Sequence, residues 1–324
     1  MNVIKEIQQL LSDDLKDFQK VFKSAMDSKV PLLDIILRYI HKQKGKQMRP
    51  MFVFLSAHIA GRPKEATART ASLIELLHTA TLVHDDVVDE AEKRRNLFSI
   101  NALWKNKVAV LAGDFLLSKG LSLALAAKDY DVLEIVSEAT REMAEGELLQ
   151  IEKARRLDIK EDIYFEIIRK KTATLISSCC AAGAASANAE KEVVEKMKAF
   201  GEYIGIAFQI KDDIFDFQKT NAIGKPQGID IKEQKMTLPL IYMLNNLSAS
   251  ERKRAITVVK KHYNNPEKVS ALVDQVNGSG GIEYAEQQMN IYRDKALSIL
   301  GEFPESEYHT AMIKLVDYTC ERKK

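Results

Sequence analysis

Two stretches of the chain each place three aspartates within a span of five residues: Asp85, Asp86 and Asp89 in LVHDDVVDEAEKRR, and Asp212, Asp213 and Asp216 in QIKDDIFDF. On a helix Asp85 and Asp89 stand on one face a turn apart, with Asp86 on the flank. Like charges at that spacing cost about 0.2–0.5 kcal/mol per pair on an isolated helix, and more when buried, so a positive partner is expected. For a lone cluster that partner is most often solvent or a surface lysine. A second copy at Asp212, again closing an apolar stretch, shifts the balance toward a hard divalent cation. Mg²⁺ fits: it takes one or two carboxylates and completes its octahedron with water and phosphate oxygens.

Carboxylate-bridged di-iron or di-manganese chemistry is the competitor, and it calls for paired ExxH motifs on bundle helices. Among the 6 histidines only Glu75 and His78 have that spacing, and no second pair exists. Three bases, Lys93, Arg94 and Arg95, follow the first cluster. On a continuing helix Arg94 would point away from the metal face, whereas a loop that folds back would aim it at phosphate oxygens. The plainer alternative is a basic run closing a helix C-terminus.

The elements that must position these residues read as helices throughout. Apolar residues recur at three and four in TASLIELLHTATLVHDD, DVLEIVSEATREMAEGELLQIEKARR, KEVVEKMKAFGEYIGIAFQIKDDIFDF and IEYAEQQMNIYRDKALSILGEF, without sustained alternation that would ask for a sheet. Breaks fall at Pro31, KGKQMRP, GRP 61–63, KTNAIGKPQGID, VNGSGG and Pro304, and VNGSGG is expected to be a flexible hinge. No linker composition divides the 324 residues, so one all-α domain, 1–324, is expected, with 46% hydrophobic residues to fill its core. The 48 Lys plus Arg nearly balance 46 Asp plus Glu, and a net charge of +2 gives no reason to expect a nucleic-acid partner. Three cysteines without disulfide or zinc spacing suit a reducing, cytoplasmic setting, and no run of eighteen or so apolar residues is apparent.

In order along nearly the whole chain, GKQMRP, LIELLHTATLVHDDVVDEAEKRR, GDFLLSKG, KTATL, GIAFQIKDDIFDF and GKPQGIDIKEQKMTLPL resemble the blocks of the all-trans isoprenyl (polyprenyl) diphosphate synthases. Asn96 stands where a glycine usually follows the arginine pair, and the tail YTCERKK matches only loosely. The resemblance implies a large helical bundle of the isoprenoid (terpenoid) synthase type with a central cavity. It implies condensation of isopentenyl diphosphate with an allylic diphosphate by ionisation, condensation and proton loss, with three Mg²⁺ per site and Mn²⁺ as a substitute. Asp85, Asp89 and Asp212 would hold the metal, supported by Asp86, Asp213 and Asp216. Arg94, Lys171, Lys225 and Lys235 match contacts to the allylic diphosphate, with Thr172 and Gln209 offering dipoles to the cation. Lys46, Arg49, His78 and Arg95 match the grip on isopentenyl diphosphate. Each has a plainer alternative: His78 as a core histidine, Lys46 and Arg49 as flanks of a helix start at Pro50.

The product tail would run along the apolar residues before Asp85. Ala80, five residues upstream and so about 7 Å deeper, is small and has Thr81 beside it; Leu77, Ile74 and Leu73 are deeper candidates for the floor. An open tunnel predicts a long product, heptaprenyl or octaprenyl; the alternative is that Ala80 merely permits close helix packing. A short-chain farnesyl or geranylgeranyl synthase, a type I terpene cyclase and a non-catalytic partner subunit are the other candidates. Intact second and basic motifs weigh against the last two. The resemblance also implies a homodimer, and a strongly apolar product makes peripheral membrane contact, and a role in quinone side chains, reasonable expectations.

Overall fold

The computed structural model describes residues 3–42, 45–94, 97–156, 160–218 and 228–322. In chain order the helices are α1 (Val3–Leu10), α2 (Ser12–Ala25), α3 (Pro31–Lys42), α4 (Met48–Ala60), α5 (Glu65–Val88), α6 (Ile100–Ala127), α7 (Tyr130–Arg156) and α8 (Glu161–Ile168). They continue as α9 (Thr174–Ser186), α10 (Lys191–Phe217), α11 (Ile229–Lys232), α12 (Leu238–Asn246), α13 (Ala249–Lys261), α14 (Pro266–Asn277), α15 (Gly281–Leu300) and α16 (Glu307–Glu321). A π-helical turn, Arg169–Ala173, joins α8 to α9. The all-α expectation holds, with one addition: the two-residue strands β1 (Lys93–Arg94) and β2 (Leu97–Phe98) form a small antiparallel hairpin between α5 and α6. Two-residue strands leave no room for the alternation that marks a strand in sequence.

Local chemistry sets the ends. Pro31 opens α3, where its missing N–H is no loss, and the Ser99 hydroxyl accepts the Ala102 N–H to cap α6. Ser248 and Glu251 form a reciprocal capping box on α13. VNGSGG is an ordered turn rather than the expected hinge. Gly280 takes φ +81°, Ser279 Oγ donates to the Val276 carbonyl at 2.7 Å, and Gly281 packs so close to Pro239 that a Cβ would lie 2.5 Å from its oxygen.

Two compact units emerge. The first comprises Met1–Glu138, Ser178–Lys198 and Phe303–Lys314; the second comprises Ala139–Ser177, Ala199–Glu302 and Leu315–Lys324. In the first, α4 is buried on all sides, with Met51, Phe52, Val53, Phe54 and Leu55 at 0–2% exposure. The pairing of α5 with α6 rests on small residues: Ala109, Ala112, Gly113, Gly120 and Ala124 form a buried row at helical spacing. A Cβ on Gly113 would sit 2.2 Å from the His84 ring. By length and composition alone α6 is apolar enough to cross a membrane, yet the expectation of no unbroken run of eighteen or so apolar residues stands. Charged residues such as Lys107 and Asp114 interrupt the run, so it escapes a search for unbroken apolar sequence.

In the second unit Ile204, Ala207, Ile210, Ile214 and Phe217 form the fully buried side of α10. Gly201 and Gly205 allow that helix to lie against backbone: a Cβ would come 2.7 Å from Ser177 Cα and 2.5 Å from Ala173 Cα, respectively. The three thiols, Cys179, Cys180 and Cys320, are free and buried. Burial pushes Cys180 up to about 12, so it carries no thiolate near neutral pH.

Candidate active site

In the first unit the acidic cluster occupies the last turn of α5. The Asp89 N–H donates to the Asp85 carbonyl at 2.8 Å as the helix ends, and Glu90 takes a left-handed φ of +50° that turns the chain back. The hairpin then returns Arg94 to the helix it left, where its Nε donates to Asp86 Oδ1 at 2.7 Å. Asp86 is 3% exposed. The cluster therefore divides: Asp86 is neutralised by a guanidinium in the protein, while Asp85 is half-buried and Asp89 exposed. Of the two geometries open to Arg94, the fold adopts the loop that folds back.

A cavity of about 410 Å³ lies along this face of α5, lined by Glu75, His78, Thr79, Leu82, Asp86 and Arg94 together with Gly45 and Gln47 of the segment entering α4. His78, 8% exposed, faces this cavity, so the expected residue is brought beside Arg94. Arg49 is half-buried, with Nη1 3.9 Å from Glu75 Oε2, and Lys46 is exposed with its carbonyl accepting from Gln8 Nε2 at 3.3 Å. Arg95 lies outside the described residues. The cavity thus collects an imidazole and a guanidinium on a partly acidic wall, chemistry that suits an anion carrying several oxygens.

Deeper along α5, Leu73, Ile74, Leu77 and Ala80 are 0–2% exposed and none of them lines that cavity. Ala80 shares a cluster with Leu76, Val83 and, from α6, Ala109, Ala112 and Leu116. The Thr81 hydroxyl is turned back on its own helix, donating to the His78 carbonyl at 2.8 Å.

In the second unit the other cluster occupies the last two turns of α10. Asp213 is 4% exposed and ends a chain of hydrogen bonds. The Thr172 hydroxyl donates to Gln209 Oε1 at 2.8 Å, Gln209 Nε2 donates to Asp213 Oδ1 at 2.9 Å, and the Tyr164 hydroxyl donates to Asp213 Oδ2 at 2.7 Å. Lys171, Thr172, Gln209, Asp213 and Lys235 line one pocket of about 180 Å³. Five residues from three sequence motifs are thereby brought together. Lys171 pairs with Glu147, and Lys235 with Glu233. Asp216 accepts from the Ile229 N–H at 2.9 Å and the Asp230 N–H at 3.2 Å, so its carboxylate caps α11. Lys225 lies outside the described residues. Asp212 pairs with Arg322 of the tail, whose guanidinium lies 4.2 Å from the Phe208 ring.

Sequence reasoning missed Tyr164, Asp230 and Arg322. A single tyrosine in an apolar helix carries no spacing signal, whereas Arg322 stood in the basic tail and could have been paired with an acidic cluster in need of a cation. Both clusters close helices at their C-termini, where the macrodipole is negative and a carboxylate is disfavoured by about 0.3–1 kcal/mol. The donor set is hard carboxylate oxygen, which fits a hard divalent cation such as Mg²⁺.

Burial, then the nearby Asp230, push Asp213 up to about 8; burial, then Asp216, push Asp230 up to about 7. In metal-free protein these folded-state values exceed the ordinary carboxylate value of 3.8. The folded state therefore holds protons that the unfolded chain releases, and stability falls as pH rises from about 4 to about 8. Thermal melts in chelator should show that slope, and Asp213→Asn should flatten it. An unchanged slope in the variant would contradict the assignment.

Residues 30–276 match the family described as polyprenyl synthetase. The octaprenyl diphosphate synthase of Escherichia coli (strain K12) is 32% identical over 320 residues, spanning 98% of this chain and 99% of that protein. A crystal structure of a decaprenyl diphosphate synthase from Rhodobacter capsulatus superposes with a TM-score of 0.93 at 32% identity, covering 99% of each chain. A geranylgeranyl pyrophosphate synthase structure from Bacteroides thetaiotaomicron, 38% identical, gives 0.85 over 99% of this chain and 100% of that one. With its motifs, its helical fold and this breadth of match in agreement, the chain belongs to the polyprenyl synthetase family.

Proposed function

We propose that this chain joins isopentenyl diphosphate head-to-tail to an allylic prenyl diphosphate, giving a long-chain all-trans polyprenyl diphosphate and inorganic diphosphate. The observation that carries the proposal is that two DDxxD clusters stand at the negative ends of two helices, with a histidine and a guanidinium lining the cavity that Asp86 of the first cluster also lines. The allylic C1–O bond breaks, releasing diphosphate with its electron pair. The isopentenyl double bond then attacks C1, and loss of a proton to the departing diphosphate restores an alkene. Mg²⁺, or Mn²⁺ in its place, would supply charge neutralisation for the leaving diphosphate, held by Asp85, Asp89 and Asp212 with Asp86, Asp213 and Asp216 in support.

Arg94, Lys171, Lys225 and Lys235 bind the allylic diphosphate, and Lys46, Arg49, His78 and Arg95 bind that of isopentenyl diphosphate. Thr172 and Gln209, already hydrogen-bonded to each other, turn oxygen dipoles toward the allylic cation. Arg322 occupies Asp212 as a resident cation that metal must displace. Arg322→Gln is expected to lower the Mg²⁺ concentration for half-maximal activity about two- to fivefold, the worth of a part-exposed ion pair. No change in that concentration would mean that the pair does not compete with metal.

Purified chain, Mg²⁺, labelled isopentenyl diphosphate and geranyl, farnesyl or geranylgeranyl diphosphate, in separate incubations, test the function. A ladder of products beyond geranylgeranyl is expected. No extension from any primer would overturn the proposal and return the cyclase and partner-subunit alternatives.

The buried cluster that Ala80 shares with Ala109 and Ala112 favours a second possibility, a floor near this point and a product no longer than geranylgeranyl. Ala80→Phe separates them. If the tail passes Ala80, the ladder shortens by several isoprene units. If Ala80 only packs, the melting temperature falls, as overpacking costs about 1–3 kcal/mol, and product length holds.

As one domain over residues 1–324, the protein works in the cytoplasm as a homodimer. Val110, Leu111, Leu121 and Leu125 of α6, 37–59% exposed, support that assembly, and the buried free thiols support a reducing compartment. A long prenyl product has little solubility in water, so its transfer calls for contact with a membrane.

A further inference from the structure

We propose that the α2–α3 corner and the β1–β2 hairpin of the first unit form a docking face for an anionic lipid bilayer. The face is apolar at its centre: Val30, Leu32, Ile35, Leu97 and Phe98 are 40–58% exposed. Contacts join the two elements into one surface. The Tyr39 hydroxyl of α3 donates to the Phe98 carbonyl of β2 at 2.8 Å, and the Tyr39 ring meets Trp104 edge-on at 5.3 Å.

At 3.6 residues per turn Leu32, Ile35 and Tyr39 fall on one outward arc of α3, and Arg38 and Lys42 on the arc beside it. Ile36, Leu37 and Ile40 point the other way, into the core. The basic arc continues across a groove between α2 and α3, where Lys20, Lys23 and His41 join Arg38 and Lys42. Two acids, Asp27 and Asp34, also line the groove, and Asp34 is met by Arg38 at 2.8 Å. On the hairpin side Lys93 Nζ stands 5.5 Å from the centre of the Phe98 ring.

The occupant follows from this composition. Protein interfaces are depleted in lysine, whereas lysines ringing exposed Leu, Ile and Phe suit a surface whose apolar centre enters the acyl boundary. Long basic side chains can lie along such a surface and still reach lipid phosphates. An apolar centre alone would not discriminate among lipids; the basic rim selects anionic headgroups. The inference rests on the proposed function for its purpose, delivery of an apolar product, and on the surface alone for its geometry.

Full-length protein is floated with vesicles of phosphatidylcholine, with and without phosphatidylglycerol, while extension of a short primer is assayed in parallel without vesicles. Expected is capture by the anionic vesicles, weakened by salt, and reduced about tenfold or more in Leu32→Glu/Ile35→Glu and in Arg38→Glu/Lys42→Glu, with primer extension unchanged. A circular-dichroism spectrum and melting temperature like the parent's establish that the variants fold. Equal capture by neutral vesicles, no capture at all, or conversion of the Leu32→Glu/Ile35→Glu variant to monomers in light scattering would overturn the docking face; the last would make it a contact between copies. Capture without extension would instead sink the proposed reaction and leave the docking face standing.

Discussion

Asp85→Asn is expected to lower kcat/KM by about 10³-fold or more. Charge stabilisation at a leaving diphosphate by bound metal is worth several kcal/mol, and each 1.36 kcal/mol is about tenfold in rate. Asp85 stands in the last turn of α5, at the negative end of the macrodipole and beside Asp86 and Asp89. Asp86→Asn should also act on the fold, because its 3% exposed carboxylate receives Arg94. Removing one partner strands the other, and the variant should lose stability as well as rate. Melts in chelator beside steady-state kinetics check both. An Asp85→Asn variant that kept normal kinetics would remove this residue from the metal site.

Gly205→Ala is expected to lower both stability and kcat through a backbone clash near the second cluster. The added Cβ would lie 2.5 Å from Ala173 Cα and 2.8 Å from its Cβ. The obstacle is backbone, so no rotamer change relieves it, and overpacking of that kind costs about 1–3 kcal/mol or more. Ala173 ends the π-helical turn Arg169–Ala173 that carries Lys171 and Thr172, and Gly205 lies one helical turn before Gln209. Pushing the two segments apart lengthens the 2.8 Å bond between Thr172 and Gln209 and loosens the chain that ends on Asp213. A displacement of that order at reacting groups is worth about 10²-fold in kcat. The comparison is Gly301→Ala, at the end of α15, where a Cβ would meet only ordinary contacts at 3.5 Å and both stability and rate should be near the parent's. Parental kcat in Gly205→Ala would show that the turn can move without disturbing the site.

Periodicity decided much of this protein before any coordinates. The stretch 191–217 reads as a helix in sequence and is α10 over those same residues, because its apolar positions recur every three or four and DDIFD closes it. The two acidic clusters, the histidine seven residues before Asp85 and the KT pair at Lys171 were all legible, since each depends on residue type and short spacing. The return of Arg94 to Asp86 was legible only as one of two options. A left-handed Glu90 and a hairpin of two-residue strands settle it, and neither leaves a periodic trace.

What tertiary structure alone decided is how the acids of each cluster differ. In sequence Asp85, Asp86 and Asp89 are near equivalents, as are Asp212, Asp213 and Asp216. Folded, Asp86 is held by Arg94, Asp213 is buried on Tyr164 and Gln209, Asp216 caps α11 and Asp212 meets Arg322. Apart from Gln209, one helical turn before Asp213, these partners lie 8 to 110 residues away along the chain. Spacing along a helix fixes which side chains share a face, because the backbone repeats. Burial and distant partners, which set the charge a carboxylate carries, depend on elements that meet only after the chain has packed.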